Sequence, residues 1–192
     1  MAGVAGPMLR RSGQQGTRFL LGLLMGGLLA SALLASLLFG LGSALDQTLS
    51  STTRTGVAGC ALFVFGLLDA ANRTPHIWRQ VPQALVRVLP PWRLGAVWGF
   101  DLSLLFTTQK TTSLTWAAVV GTMVVARWEA WVVMIGMTII SVATIALRSV
   151  LYAVRGPALT GDGRQAWFLW MRRAAGLVLV VIGIAMVVEA RG

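Results

Sequence analysis

Residues 94–126 read LGAVWGFDLSLLFTTQKTTSLTWAAVVGTMVVA, and this stretch decides how the chain crosses a membrane. A straight helix over it would extend about 50 Å at 1.5 Å per residue, whereas the hydrocarbon core of a bilayer is about 30 Å thick. Its centre, Thr107 to Ser113, is a run of consecutive polar residues in an otherwise apolar segment. We therefore expect a broken or bent helix here, because hydroxyl and amide groups can satisfy the backbone that a break releases.

The composition of the whole chain predicts an all-α integral membrane protein. Of its 192 residues, 56% are hydrophobic and 11% charged, whereas about a quarter of the residues in a soluble domain are charged. The apolar runs predict five transmembrane helices, over residues 19–45, 56–71, 94–126, 130–150 and 173–190. Together these form a single transmembrane domain, residues 19–192, which follows an N-terminal segment, residues 1–18.

The arginine residues orient the five helices. Most of them fall on one side, namely Arg10, Arg11, Arg18, Arg73, Arg79, Arg87, Arg93, Arg148, Arg155, Arg164, Arg172 and Arg173. The other side has only Arg54, Arg127 and Arg191. Because cytoplasmic loops are rich in Lys and Arg, residues 1–18 and the loops 72–93 and 151–172 are predicted to be cytoplasmic, with the C-terminus outside a bacterial-type inner membrane. Two crossings within 94–126 would make the bias weaker, which favours five.

The formal charge of +10 thus comes from arginines that orient the helices and face the lipid headgroups. No basic soluble module with interleaved aromatic residues is present, so we expect no nucleic-acid partner. The expected partners are the lipid bilayer and either a second copy of the chain or another membrane subunit. The sequence has one cysteine, Cys60, and offers neither a metal-ligand set nor a nucleophile and base pair. We therefore expect no metal, no cofactor and no enzymatic activity.

An internal repeat links the second and fifth predicted helices. GVAGCALFVFGLL begins at Gly56, and RAAGLVLVVIGIAM begins at Arg173. Each contains two glycines seven residues apart, which lie on one helical face and allow another helix to approach closely; they are Gly59, Gly66, Gly176 and Gly183. Because the predicted topology runs the two helices in opposite directions, they form a partial inverted repeat, the construction of many transporters.

The polar run in the third helix is the candidate substrate site. It consists of Thr107, Thr108, Gln109, Lys110, Thr111, Thr112 and Ser113. An ammonium group near the bilayer centre must face protein, water or a carboxylate, so Lys110 is either functional or a buried group that holds helices together. Asp101 and Asp69 are its possible charge partners. Asp101 would lie on the opposite side of a continuous helix, so a direct pair with it would require a break.

Three strings give the chain a resemblance to a known family. Phe106-Thr107-Thr108-Gln109 resembles the aromatic-Thr-Pro-Cys motif of the CcdA/DsbD-type thiol–disulfide transporters, which are related to the LysE-type exporters. The final RRAAGLVLVVIGIAM resembles their last helix, and LGSALDQTLSSTTRTGVAGCALFVFGL resembles the end of their second helix and their third. The resemblance implies six helices in two inverted triplets.

The chain departs from this family at both of its redox positions. The family's first helix, which carries one cysteine, is missing, and Gln109 replaces the other cysteine. A thiol relay needs two sulfurs that form and break a disulfide, so the chain is not expected to carry out that reaction. Two functions remain open. One is transport of a small solute or ion through the polar run; the other is an accessory or assembly role in a larger membrane complex.

Overall fold

The computed structural model describes residues 2–74, 83–104, 112–155 and 164–191. Over these residues the protein is helical and contains no strand, which confirms the predicted all-α class. The helices are α1 (Ala2–Arg11), α2 (Gly13–Thr48), α3 (Ser51–Ala70), α4 (Pro91–Ser103), α5 (Leu114–Val124), α6 (Ala130–Arg155) and α7 (Arg164–Glu189). Two short 3-10 helices, Gln83–Arg87 and Arg127–Glu129, precede α4 and α6.

Four stretches of the described chain are long and apolar enough to cross a bilayer. They are Gly13–Thr48, Ser51–Ala70, Arg127–Val154 and Leu169–Glu189, and they match the predicted first, second, fourth and fifth spans. The predicted third span, 94–126, contains most of α4 and all of α5, with residues 105–111 outside the description. Its continuity or break stays a prediction.

The surface of α2 is that of a lipid-facing helix. Apolar side chains four residues apart form a stripe along it, and each is between 48% and 66% exposed: Leu21, Met25, Leu29, Leu33, Leu37 and Leu41. Soluble monomers rarely expose a continuous apolar surface of this extent. Together with the four long apolar helices, this stripe identifies a membrane protein.

Local sequence explains where α3 and α4 begin and end. The Ser50 side chain accepts a hydrogen bond from the Thr53 backbone N–H at 3.2 Å and caps the start of α3. Asn72 ends it with a positive φ of 61°, which asparagine tolerates after a helix, and the Arg73 N–H returns to the Leu68 carbonyl. Pro91 stands at the first position of α4, where its missing N–H costs nothing.

The chain divides into two compact units. Unit 1 comprises Met1–Leu34, Trp78–Thr108 and Met134–Gly161, and unit 2 comprises Ala35–Ile77, Gln109–Val133 and Asp162–Gly192. Helices α2 and α6 each contribute residues to both.

In unit 1, α4 runs parallel to α2 through two facing Gly-x-x-x-Gly motifs. These are Gly22 with Gly26, and Gly95 with Gly99. A Cβ atom at Gly26 would overlap the carbonyl oxygen of Ala96, and one at Gly99 would overlap that of Leu23. Small residues in this spacing let helix backbones come into contact within a membrane. The sequence therefore held a signal for this pairing, and sequence reasoning missed it.

Aromatic packing completes the core of unit 1. Phe19 and Trp98 are buried there, with their rings edge to face and the centroids 5.9 Å apart. Ala5 of α1 is also fully buried in this cluster. Helix α1 therefore belongs to the packed core of the unit.

In unit 2, α3 and α7 run antiparallel. A Cβ atom at Gly59 would lie 2.9 Å from the Gly183 carbonyl oxygen, and one at Gly66 would lie 2.6 Å from that of Gly176. Leu62 and Leu179 from the two helices form a buried cluster with Ala117 of α5. All four glycines of the sequence repeat thus lie where α3 and α7 meet.

Candidate functional site

The described residues of unit 2 contain a fully buried carboxylate, Asp69, one residue before the end of α3. Its Oδ1 accepts hydrogen bonds from the Thr74 and Ser113 hydroxyls, each at 2.7 Å. Its Oδ2 accepts the backbone N–H of Ser113, also at 2.7 Å. Both carboxylate oxygens are therefore engaged, and Ser113 supplies two of the three donors.

This arrangement fixes the start of α5. Ser113 occupies the N-cap position of α5, so the Asp69 carboxylate lies at the positive end of that helix, where an anion is favoured. Hydrogen bonds to a charged group contribute about 1.5–3 kcal/mol each. The end of α3 and the beginning of α5 are consequently held together by a charged contact that water does not reach.

A second charged group lies at the opposite end of unit 2. Asp46, near the end of α2, forms ion pairs with Arg54 at 2.6 Å and with Arg127. The Arg127 guanidinium also lies 5.9 Å from the Trp128 ring centroid. Since Asp69 meets Ser113 at one end and Arg54 shares Asp46 with Arg127 at the other, residues 113–127 run antiparallel to α3. Sequence reasoning overlooked Asp46, although it lies with Arg54 in the segment between the first and second predicted helices.

Three hydroxyl groups meet in unit 1, on three different helices. Ser31 of α2 is hydrogen-bonded to Thr138 of α6, and the Ser103 hydroxyl of α4 lies 3.1 Å from the same Thr138 oxygen. Gly27 makes room for them, because a Cβ atom there would be 2.8 Å from the Thr138 methyl group. Ser103 is the last residue of α4, so this cluster holds the α4 end that precedes the polar run.

The predicted site residues are only partly described. Thr107, Thr108, Gln109, Lys110 and Thr111 lie outside the described residues. Thr112 is half-buried, and Ser113 is fully buried against Asp69. Of the two carboxylates considered as partners for Lys110, Asp69 thus bonds the last residue of the polar run, whereas Asp101 lies half-buried on α4 in unit 1.

The contacts between α3 and α7 are symmetric: each contact of an α3 residue is repeated by the equivalent residue of α7. Gly59 approaches Gly183 and Val187, and Gly176 approaches Gly66 and Ala70. In the repeat, Gly59 corresponds to Gly176, Gly66 to Gly183 and Ala70 to Val187, so each contact has its counterpart. This is the relation that a local two-fold axis between two antiparallel helices produces.

No protein-family model, curated protein or solved structure matches this chain. Its function must therefore be inferred from its own residues. In the described parts of the chain, no three His, Cys, Asp or Glu side chains lie together as metal ligands would. The buried polar contacts of Asp69 and Thr138 remain the features that apolar packing does not account for.

Proposed function

We propose that this protein is a multi-pass inner-membrane transporter of a small solute or ion, with its binding site in the polar run from Thr107 to Ser113. The observation that carries this proposal is the buried Asp69 carboxylate and its bonds to Ser113. Asp69 lies in the last turn of the candidate span Ser51–Ala70, and ionisable groups buried in such spans are costly and commonly mark substrate or ion pathways. Here such a group holds one end of the only polar run in the predicted third span.

In this proposal Asp69 is a positioning residue. Its oxygens accept hydrogen bonds from Thr74 and Ser113, so it fixes the end of the polar run. Lys110 precedes Ser113 by three residues and supplies the positive charge, which attracts an anion or exchanges a proton. The hydroxyls of the run bind the solute and satisfy the backbone at the break.

The hydroxyl cluster of unit 1 supports the same interpretation. Ser103, at the end of α4, is tied to Thr138 and through it to Ser31. Buried polar contacts therefore hold the last residue of α4 and the capping residue of α5, the two helices on either side of the polar run. A non-helical segment within a membrane needs such support, because lipid cannot satisfy its backbone groups.

Helix directions within each unit support a single crossing by the predicted third span. In unit 1, α4 runs parallel to α2, and in unit 2, α5 runs antiparallel to α3. Within its own unit, each direction is the one that a single third crossing requires. The shared contact with Asp46 also brings Arg54 and Arg127 to one end of unit 2, as this topology requires.

We further propose that the scaffold is CcdA-like and has lost its redox chemistry. The symmetric contacts of α3 and α7 support an inverted repeat, as the resemblance implies. The chain has a single cysteine, Cys60, so it cannot pass electrons through an internal pair of thiols. Its polar run then serves a solute in place of a disulfide.

The test is a flux assay on purified protein in liposomes. Proton movement is followed with an internal pH dye, and chloride or phosphate movement is followed as current after a concentration jump. Lys110→Met should abolish the flux while Lys110→Arg retains it, because the second variant keeps the charge. Arg173→Gln, which removes an exposed charge on α7, is the control and should leave the flux unchanged.

Two outcomes would contradict the proposal. If wild-type liposomes carry none of the three probes faster than protein-free liposomes, the transport function proposed for these ions is wrong. If Lys110→Met leaves the flux unchanged, Lys110 is not its site. A Lys110→Met variant that instead loses a co-purifying membrane subunit would support the accessory role.

A further inference from the structure

An open apolar groove lies between α3 and α7 on the outer surface of unit 2. Its volume is about 380 Å³, and its walls include Cys60 and Val64 from α3 and Gly183, Ile184 and Val187 from α7. Gly183 lines the groove and packs against the α3 backbone at Gly59 and Phe63, and Val64 and Ile184 are each about half exposed. The two helices thus leave this groove open along their lipid-facing side.

One end of the groove is positively charged. Arg191, just after the end of α7, is the one charged residue among those that line it. Residues Gly183 to Arg191 extend roughly 12 Å at 1.5 Å per residue, close to the ~15 Å depth of one leaflet. The groove therefore joins an apolar stretch of leaflet depth to a guanidinium at its edge.

Arg191 differs from the other two arginines on the predicted outer face in its ion pairing. Arg54 and Arg127 are both paired with Asp46. Among the described residues no ion pair involves Arg191, and Glu189, the nearest acidic side chain in sequence, does not line the groove. A molecule that fits here combines a hydrocarbon chain with an anionic group at one end.

We propose that this groove is a binding site for an anionic phospholipid. One acyl chain lies along Cys60, Val64 and Ile184, and the phosphate pairs with the Arg191 guanidinium. The chain replaces bulk lipid against the concave surface between the two helices, and the arginine selects the anionic headgroup. This site is separate from the polar run proposed for transport, so either can fail without the other.

The test uses photoactivatable lipids in vesicles of phosphatidylcholine that contain the full-length protein. A trace of phosphatidylglycerol or of phosphatidylcholine with a diazirine on its acyl chain is added, irradiated, and mapped to peptides by mass spectrometry. Wild-type protein should be labelled by phosphatidylglycerol on α3 near Cys60 and on α7 near Ile184. Arg191→Gln should reduce this labelling about fivefold, the upper end for one exposed ion pair, and should reduce labelling by phosphatidylcholine less, because choline offsets the charge of its phosphate.

Matched variants separate the groove from general effects. Ile184→Trp fills the groove and should reduce labelling by both lipids, whereas Ile182→Trp places the same bulk on an exposed side of α7 that does not line the groove and should leave labelling unchanged. Arg173→Gln controls for loss of charge elsewhere on α7.

Three results would overturn the proposal. Equal phosphatidylglycerol labelling of Arg191→Gln and wild type would mean that Arg191 does not bind the headgroup. Loss of labelling on addition of inorganic phosphate would identify a site for the free anion. Rapid disulfide formation between the Cys60 residues of two chains, with weak lipid labelling, would mean that a second copy covers the groove.

Discussion

Replacing Gly66 by alanine tests the packing of α3 against α7. The added Cβ atom would lie 2.6 Å from the Gly176 carbonyl oxygen and 2.8 Å from the Val180 backbone nitrogen, whereas ordinary contact begins at 3.4 Å. Both neighbours are backbone atoms, so α7 itself would have to move by a large part of an ångström. Overpacking of this kind costs about 1–3 kcal/mol, and the higher helix propensity of alanine returns about 0.5–1 kcal/mol. We expect a net loss of about 1–2 kcal/mol.

The matched control is Gly40→Ala, the same substitution on an exposed part of α2. A Cβ atom at Gly40 meets nothing within 4 Å, so only the propensity gain of about 0.5–1 kcal/mol applies. The free energy of unfolding is measured in mixed micelles as the fraction of sodium dodecyl sulfate rises. The two variants should therefore differ by about 2 kcal/mol with opposite signs. Equal stabilities would refute the close contact between α3 and α7.

Three further substitutions test the buried and charged contacts. Asp69→Asn should lower the free energy of unfolding by about 2 kcal/mol, because an amide cannot accept from the Ser113 N–H and both hydroxyls at once; an unchanged value in the same micelle titration would contradict the charged cap of α5. Thr138→Val keeps the shape but removes the shared hydroxyl, and should cost about 1 kcal/mol, whereas Thr144→Val on the exposed side of α6 should cost less. Asp46→Asn should lower the thermal midpoint at low salt and remove most of its dependence on salt; equal salt dependence in wild type and variant would mean that the pairs with Arg54 and Arg127 add no stability.

The long apolar helices were predictable from the sequence because a bilayer sets their length. Four of the five predicted spans match described helices, and most of their ends agree to within a few residues. An apolar segment of about 20 residues fits few structures other than a membrane-spanning helix. The close approach at Gly59 and Gly176 follows from a spacing that repeats along one helical face. Glycine spacing does not identify the partner helix, and the approach of Gly22 to Trp92 and Ala96 of α4 depends on the fold.

The polar contacts were harder to predict for the same reason. Asp69 and Ser113 are 44 residues apart in the chain, and no local pattern relates a carboxylate in one helix to the first turn of another. The Ser31, Ser103 and Thr138 hydroxyls each look like isolated polar residues in apolar helices until three helices bring them together. The sequence marked Asp69 as a possible partner for Lys110, but its contact with the α5 cap requires the three-dimensional arrangement.

Helix α3 leaves the ribosome well before α7, the helix with which it pairs. Ala70 ends α3 and Arg164 begins α7, so residues 71–163 are synthesised before the partner of α3 begins. At roughly 5–20 residues per second, this delay lasts on the order of 5–20 s. During that time Gly59 and Gly66 face the bilayer or the insertion machinery with no helix against them. Biogenesis of this protein thus includes an interval in which α3 has been made and α7 has not.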